Sequence, residues 1–300
     1  MLQQTRMEVV LGYYGPFLER FPDLGSLAAA SEDAVMAAWS GLGYYRRARM
    51  LREGAKAVVE RFGGRVPQTV GDLLQIPGIG RYTAGAIASI AHRRKAPIVD
   101  GNVARILARL MLIREPLGSG ALMRAAWRHA EELVAACGDP RDFNQGLMEI
   151  GALLCTPRKP ACERCPLTAH CVAFREGRID ELPRPKAKPA TREMTIALYV
   201  VTRGGKLLMQ REDGPLMNGM FHLPHGDTSL LTGKPLRVRD AEKVGTFRHT
   251  ITNRRITFEV YRASANGARQ TANWINPLQL ATVPHPSYVR KALRLAGICK

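Results

Sequence analysis

Three hundred residues, 46% of them hydrophobic, suffice for two ordinary domains with real cores and exclude a disordered tail. The net charge of +18, from 44 basic against 26 acidic residues, points to a polyanionic partner, because cations that neutralise phosphates release condensed counterions. No run approaches the ~20 apolar residues of a membrane span, and Met1–Glu8 lacks a basic stretch followed by an apolar one, so a cytoplasmic location is expected.

Apolar residues at helical spacing predict helices over 2–20, 31–39, 44–62, 69–74, 81–92, 102–112, 120–137 and 141–154, so residues 1–175 read as an all-α domain. Residues 176–194 read as a basic, proline-rich linker whose centre runs from Leu182 to Arg192 with three prolines among its cations. Beyond it the period changes. Strands are predicted over Thr195–Val201 and Lys206–Arg211, joined by a turn at Arg203-Gly204-Gly205, with further strands at 247–249 and 256–261 and a closing helix over 288–296. Residues 195–300 therefore form a smaller α+β domain.

Within the helical domain, Leu74-Gln75-Ile76-Pro77-Gly78-Ile79-Gly80-Arg81-Tyr82 is the first chemical signal. Pro77 ends one helix, while Gly78 and Gly80 permit a sharp turn and close approach of a ligand to the backbone. The next helix then starts with outward-pointing N–H groups, which suit a phosphate. A plain helix–turn–helix with Ile76 and Ile79 in the core is the alternative. Asp100 follows the apolar Ile98-Val99 and precedes a helix, where it either caps that helix or serves as a reactive carboxylate.

Six cysteines are few for a disulfide scaffold, and Cys155, Cys162, Cys165 and Cys171 fall within 17 residues with the spacing C-x6-C-x2-C-x5-C. Such clustering predicts a metal site. Zinc usually takes two short-spaced pairs, whereas only one is short here, which tilts the reading from zinc toward an iron–sulfur cluster. Cys137 stands apart and reads as an ordinary buried thiol.

Hairpin, aspartate and four cysteines in this order resemble the endonuclease III (helix–hairpin–helix) superfamily of DNA glycosylases over residues 1–175. The resemblance implies a 4Fe–4S cluster on the four cysteines, a pocket for a flipped-out base, and DNA contact by Gly78, Gly80 and Arg81. It further implies that Asp100 stabilises the cation formed as the glycosidic bond breaks and positions water. Strand-cutting members carry a lysine where Tyr82 stands, so base removal without efficient strand scission is expected; Tyr82 then faces the pocket or is a core aromatic.

Leu2-Gln3-Gln4-Thr5, Gly41-Leu42-Gly43-Tyr44-Tyr45-Arg46-Arg47-Ala48-Arg49 and Phe143-Asn144-Gln145-Gly146 resemble the adenine DNA glycosylase (MutY) family. The resemblance implies that Gln3, Gln4 and Tyr44 enter the duplex and help read the lesion pair, with interior packing as the alternative for Tyr44 and Tyr45. Gly214–Pro224 and Thr246–Thr250 resemble that family's Nudix-like domain, which reads 8-oxoguanine opposite the target adenine. No G-x5-E-x7-R-E-x2-E-E box is present, so nucleotide hydrolysis there is not expected. The fold class expected is thus an all-α helix–hairpin–helix glycosylase domain with an iron–sulfur cluster loop, followed by a smaller α+β Nudix-like domain. The implied partner is double-stranded DNA with adenine opposite 8-oxoguanine or guanine, bound by a monomer.

Two departures stand out. The family's lesion-reading loop commonly reads Phe-Ser-His where Ile251-Thr252-Asn253 stands; Thr252 keeps a hydroxyl and Asn253 a hydrogen-bonding group. The family's general-acid glutamate lies three residues before the Leu-Gln-Gln-Thr motif and has no counterpart here, and Glu8 sits too far along the helix to replace it. The expectation drawn is that Met1 is an internal residue of a longer protein. The alternatives are a catalytically impaired DNA-lesion binder and a mismatch thymine glycosylase.

Overall fold

The computed structural model describes residues 1–3, 5–185, 190–214, 217–226, 228, 230–231, 238–264 and 273–299, with Arg239 described by its backbone only. Segments of two motifs singled out in the sequence, Gln4 and Pro215-Leu216, lie outside the described residues, as do 186–189 of the expected linker. The chain divides into two compact units: Met1–Val59 with Pro189–Lys300, and Glu60–Lys188.

In the first unit, α1 (Met7–Arg20) is followed by α2 (Leu24–Ala29), α3 (Glu32–Ala38) and α4 (Arg46–Phe62). Two of these start with a side-chain cap: Asp23 accepts from Ser26 N, and Ser31 accepts from Ala34 N. α1 begins at Met7, not at residue 2, because the carbonyls of Met1 and Gln3 accept hydrogen bonds from the Arg47 guanidinium. Likewise Tyr44 and Tyr45 precede α4, because Tyr44 takes a left-handed backbone (φ +48°) that no helix continues. The sheet runs β3-β2-β1-β5-β4, with β6 also paired to β2. Its strands are β1 (Arg192–Arg203), β2 (Lys206–Arg211), β3 (Phe221–His222), β4 (Arg239–Ile251), β5 (Arg254–Ser264) and β6 (Asn273–Ile275). β1 and β5 run parallel, with Ile196 opposite Phe258 and Leu198 opposite Val260, so alternate apolar residues of both strands face one core. The expected turn at Gly204-Gly205 closes the antiparallel β1–β2 pair, both glycines at positive φ.

The second unit holds α5 (Val70–Leu73), α6 (Arg81–Ala86), α7 (Gly101–Leu110), α8 (Gly120–Ala136), α9 (Pro140–Glu149) and α10 (Val172–Arg175); the first unit is closed by α11 (Ser287–Leu295). Two of the expected helices end in a π-helical turn, Ile87–Ala91 after α6 and Ile150–Leu154 after α9. Such one-residue insertions re-aim whatever follows them. α7 is buried along its length from Val103 to Leu110 and forms the axis of this unit's core with Ile98, Val99, Ala126, Ala130 and Leu147. Gly85 lets the chain before α7 press onto α6, because a Cβ there would stand 2.1 Å from the Pro97 carbonyl oxygen. Gly85→Ala should therefore cost about 1–3 kcal/mol, since the obstacle is backbone and cannot swing aside. An unchanged melting temperature for that variant would refute this close approach.

No helix among the described residues is long and apolar enough to cross a membrane.

Candidate functional site

The hairpin is built from a short capped helix and a glycine turn. Thr69 caps α5, and Leu73 and Ile76 are buried and anchor it. Gly78 takes φ +84°, the left-handed conformation that glycine adopts without strain. Gly80 is extended, and a Cβ there would meet nothing within 4 Å, so neither backbone nor interior demands a glycine at this position. It stands at the start of α6 without a side chain to cap it, which leaves the approach to the helix end open. Arg81 projects from the first turn, stacked 3.9 Å from the Trp127 ring centroid and ion-paired with Glu131, so α8 fixes its direction.

Asp100 caps α7. Its Oδ1 accepts from Asn102 N at 2.9 Å and Val103 N at 2.8 Å, while no described residue donates to Oδ2. The capping and reactive readings are thus compatible, one oxygen serving each. Tyr82 is half-buried against the core of this unit, with its hydroxyl 3.9 Å from Met148 Sδ. Burial, and then the charge of Asp100, push its phenol above the usual pKa, which ties ring and carboxylate to one electrostatic neighbourhood.

Behind Asp100 lie three residues that the sequence reading passed over. Asn102 Oδ1 accepts from Arg105 Nη2 at 3.0 Å. Arg105, 5% exposed, also donates to Gly151 O and, through Nε, to Cys155 O, both at 2.7 Å. Arg109, one turn on and 2% exposed, donates to Thr156 O and Leu182 O at 2.8 Å and lies 3.3 Å from Cys155 Sγ. The only sequence signal for this pair is two arginines at i, i+4 on a helix that is otherwise apolar from Val103 to Leu110. Desolvating two guanidiniums is expensive unless they are paired; here carbonyls and a sulfur satisfy them.

Cys155, Cys162, Cys165 and Cys171 line one pocket, walled by Ile106, Leu110, Ile150, Leu154 and Leu167 with Arg109 at its side. None of the four is in a disulfide, and 3-10 turns at Cys162–Arg164 and Thr168–His170 shape the loop. Thr168 Oγ1 donates to Cys165 O at 2.8 Å and to Cys162 O, fixing the knuckle. Burial, and then the charge of Cys155, push the Cys162 thiol above its usual pKa. Four soft donors in an apolar pocket, with a buried guanidinium beside one sulfur, fit an anionic iron–sulfur cluster. Among the described residues no His, Cys, Asp and Glu draw together around a single-ion position. Cys137 stands apart, half-buried and donating to Val134 O.

In the other unit, Gln3 and Tyr44 are exposed, Tyr44 by 57%. Tyr45 separates from it: its ring packs on the core and its hydroxyl donates to His285 O at 3.2 Å, and burial pushes its pKa up to about 12. Thr252 and Asn253 form the tip between β4 and β5, with Thr252 at φ +55°. Thr252 Oγ1 donates to Ile251 O, and Asn253 Nδ2 donates to Ala190 O at 3.1 Å.

The comparisons agree with this geometry. Residues 1–132 match the family model described as "HhH-GPD superfamily base excision DNA repair protein", 155–171 that of the iron–sulfur binding domain of endonuclease III, and 196–295 that of the NUDIX domain. A solved thermostable thymine-DNA glycosylase superimposes with TM-score 0.50 at 31% identity, covering 58% of this chain and 80% of that one. Hairpin, cysteine loop and Nudix-like sheet together define a DNA glycosylase of the helix–hairpin–helix class, a base-excision-repair hydrolase of the N-glycosidic bond with a 4Fe–4S cluster. The mouse adenine DNA glycosylase is 33% identical over 98% of this chain and 70% of its own length. The rat adenine DNA glycosylase is 32% identical over 100% and 72%. The chain belongs to the adenine DNA glycosylase family.

Proposed function

We propose that this chain removes adenine from duplex DNA where adenine faces 8-oxoguanine or guanine, as a monofunctional hydrolase acting as a monomer at the nucleoid. The observation that carries the reading is Asp100, with one oxygen engaged by α7 and the other accepting from no described residue, in the neighbourhood of Tyr82. In hydrolysis the bond from C1′ to the base breaks, water adds at C1′, and adenine leaves with a proton. A carboxylate near C1′ stabilises the positive charge that develops there and orients the water. Tyr82 offers no amine, so no Schiff base forms at that position and the strand stays intact.

Gly78, Gly80 and Arg81 hold backbone phosphates at the start of α6. Gln3, Gln4 and Tyr44 enter the stack, and Thr252 and Asn253 read the opposite base. Cys155, Cys162, Cys165 and Cys171 hold the cluster, which when bound ties the loop into a rigid DNA-binding surface. By function the chain divides into a glycosylase region (residues 1–175), a linker (176–194) and a lesion-reading region (195–300).

Single-turnover assays on duplexes with adenine opposite 8-oxoguanine, guanine or thymine, and thymine opposite guanine, test this reading. Expected is adenine release, fastest opposite 8-oxoguanine, leaving strands that break only after alkali. Release of thymine in place of adenine favours the second reading, which the likeness to the thymine-DNA glycosylase keeps in play. Tight lesion binding with no release of either base overturns hydrolysis.

A further inference from the structure

Arg47, in the first turn of α4, has an environment that the excision chemistry does not explain. Its Nη1 donates to the carbonyls of Met1 (2.7 Å) and Gln3. Its Nη2 donates to Thr5 Oγ1 (2.8 Å), Gly43 O (3.1 Å) and Leu42 O (3.3 Å). One planar fork therefore joins two stretches some forty residues apart in sequence, the segment carrying Gln3 and the loop carrying Tyr44. Its carbon centre lies 5.5 Å from the Tyr44 ring centroid and 5.4 Å from that of Trp39, whose Nε1 donates to the same Gly43 carbonyl at 3.2 Å. Within the loop, Gly41, Gly43 and Tyr44 all hold positive φ, at +107°, +70° and +48°.

A tyrosine in that backbone region is strained and persists only where its surroundings over-determine it. The Arg47 Nε is buried, and no described residue accepts from it. A strained backbone held by its surroundings and a cation hydrogen-bonded to two segments are what pre-organise an exposed ring.

We propose that Arg47 is a positioning residue that locks the Gln3 segment and the Tyr44 loop into a single wedge, presented rigidly to a base stack. This rests on the reading of Gln3 and Tyr44 as residues that enter the duplex. Lysine cannot substitute, because one ammonium group on a flexible stem cannot bridge acceptors on both segments while stacking on a ring.

The test uses the full chain and a duplex with 2-aminopurine beside an adenine:8-oxoguanine pair, whose fluorescence rises as its neighbours unstack. The plateau at saturating protein reports wedge geometry independently of affinity and of catalysis. Arg47→Lys and Arg47→Gln should both lower the plateau toward that of free DNA and weaken binding roughly tenfold, with or without earlier melting, while iron content stays unchanged. Tyr44→Ala should lower the same plateau, and Arg47→Gln combined with Tyr44→Ala should go no lower than Tyr44→Ala alone. A full plateau in both Arg47 variants, with or without earlier melting, makes Arg47 a fold staple and overturns the proposal. Losses that add in the double variant overturn it too. A full plateau with Tyr44→Ala sinks the wedge reading itself, a result distinct from either.

Discussion

An Asp100→Asn protein should fold, bind duplex as tightly as the parent, and release base roughly 10²–10³-fold more slowly, the loss expected when one pre-organised group that stabilises transition-state charge is removed. This exchange separates the two roles of the residue because asparagine caps helices about as well as aspartate. The Oδ1 contacts to Asn102 N and Val103 N are preserved in kind, so α7 keeps its start. What disappears is the negative charge beside the developing cation. Asp100→Ala is the companion: it should be equally slow and, in addition, less stable by about 1 kcal/mol through loss of the cap. Single-turnover rates with thermal melts on the three proteins decide the matter. A parental rate for Asp100→Asn would leave Asp100 as a cap alone.

The second large effect concerns the cysteine loop. Cys162→Ser should give protein without stoichiometric iron or broad visible absorbance, with the 155–171 loop open to proteolysis and duplex affinity reduced. A group that binds only the folded chain at a thousand times its Kd stabilises by about 4 kcal/mol, so melting should fall well below that of the parent. The consequences extend beyond the loop because Arg105 and Arg109 are satisfied by its carbonyls and by Cys155 Sγ. When the loop opens, two buried guanidiniums lose partners, and the same α7 that begins at Asp100 is disturbed. Stoichiometric zinc in a colourless parent protein would overturn the cluster; iron loss without any change in melting would overturn its structural role.

The helices and the two strongest signals were legible because each is a local regularity. The cysteine spacing, the Pro77–Gly80 turn and the periodic apolar residues of α4, α8 and α9 are properties of short windows, and the structure places them as expected. The boundaries that moved did so where a distant residue intervened. Residues 1–5 stay out of α1 because Arg47 takes their carbonyls, and α4 starts after Tyr45 because the preceding loop is left-handed. β4 is longer than its predicted core because Arg239, Asp240, Glu242 and Lys243 conceal a strand pattern that pairing with β5 supplies.

The hairpin, Asp100 and the cysteines were thus set by the sequence alone: a glycine turn, an aspartate before a helix and a thiol spacing depend on neighbours a few residues away. Only the tertiary structure decided which tyrosine packs inward, which oxygen of Asp100 is engaged, and where Arg47, Arg105 and Arg109 spend their charge. In a chain of 44 basic residues, spacing cannot single out these three arginines. Burial and hydrogen-bond partners depend on segments far apart in sequence, and these arise only once the helices have packed.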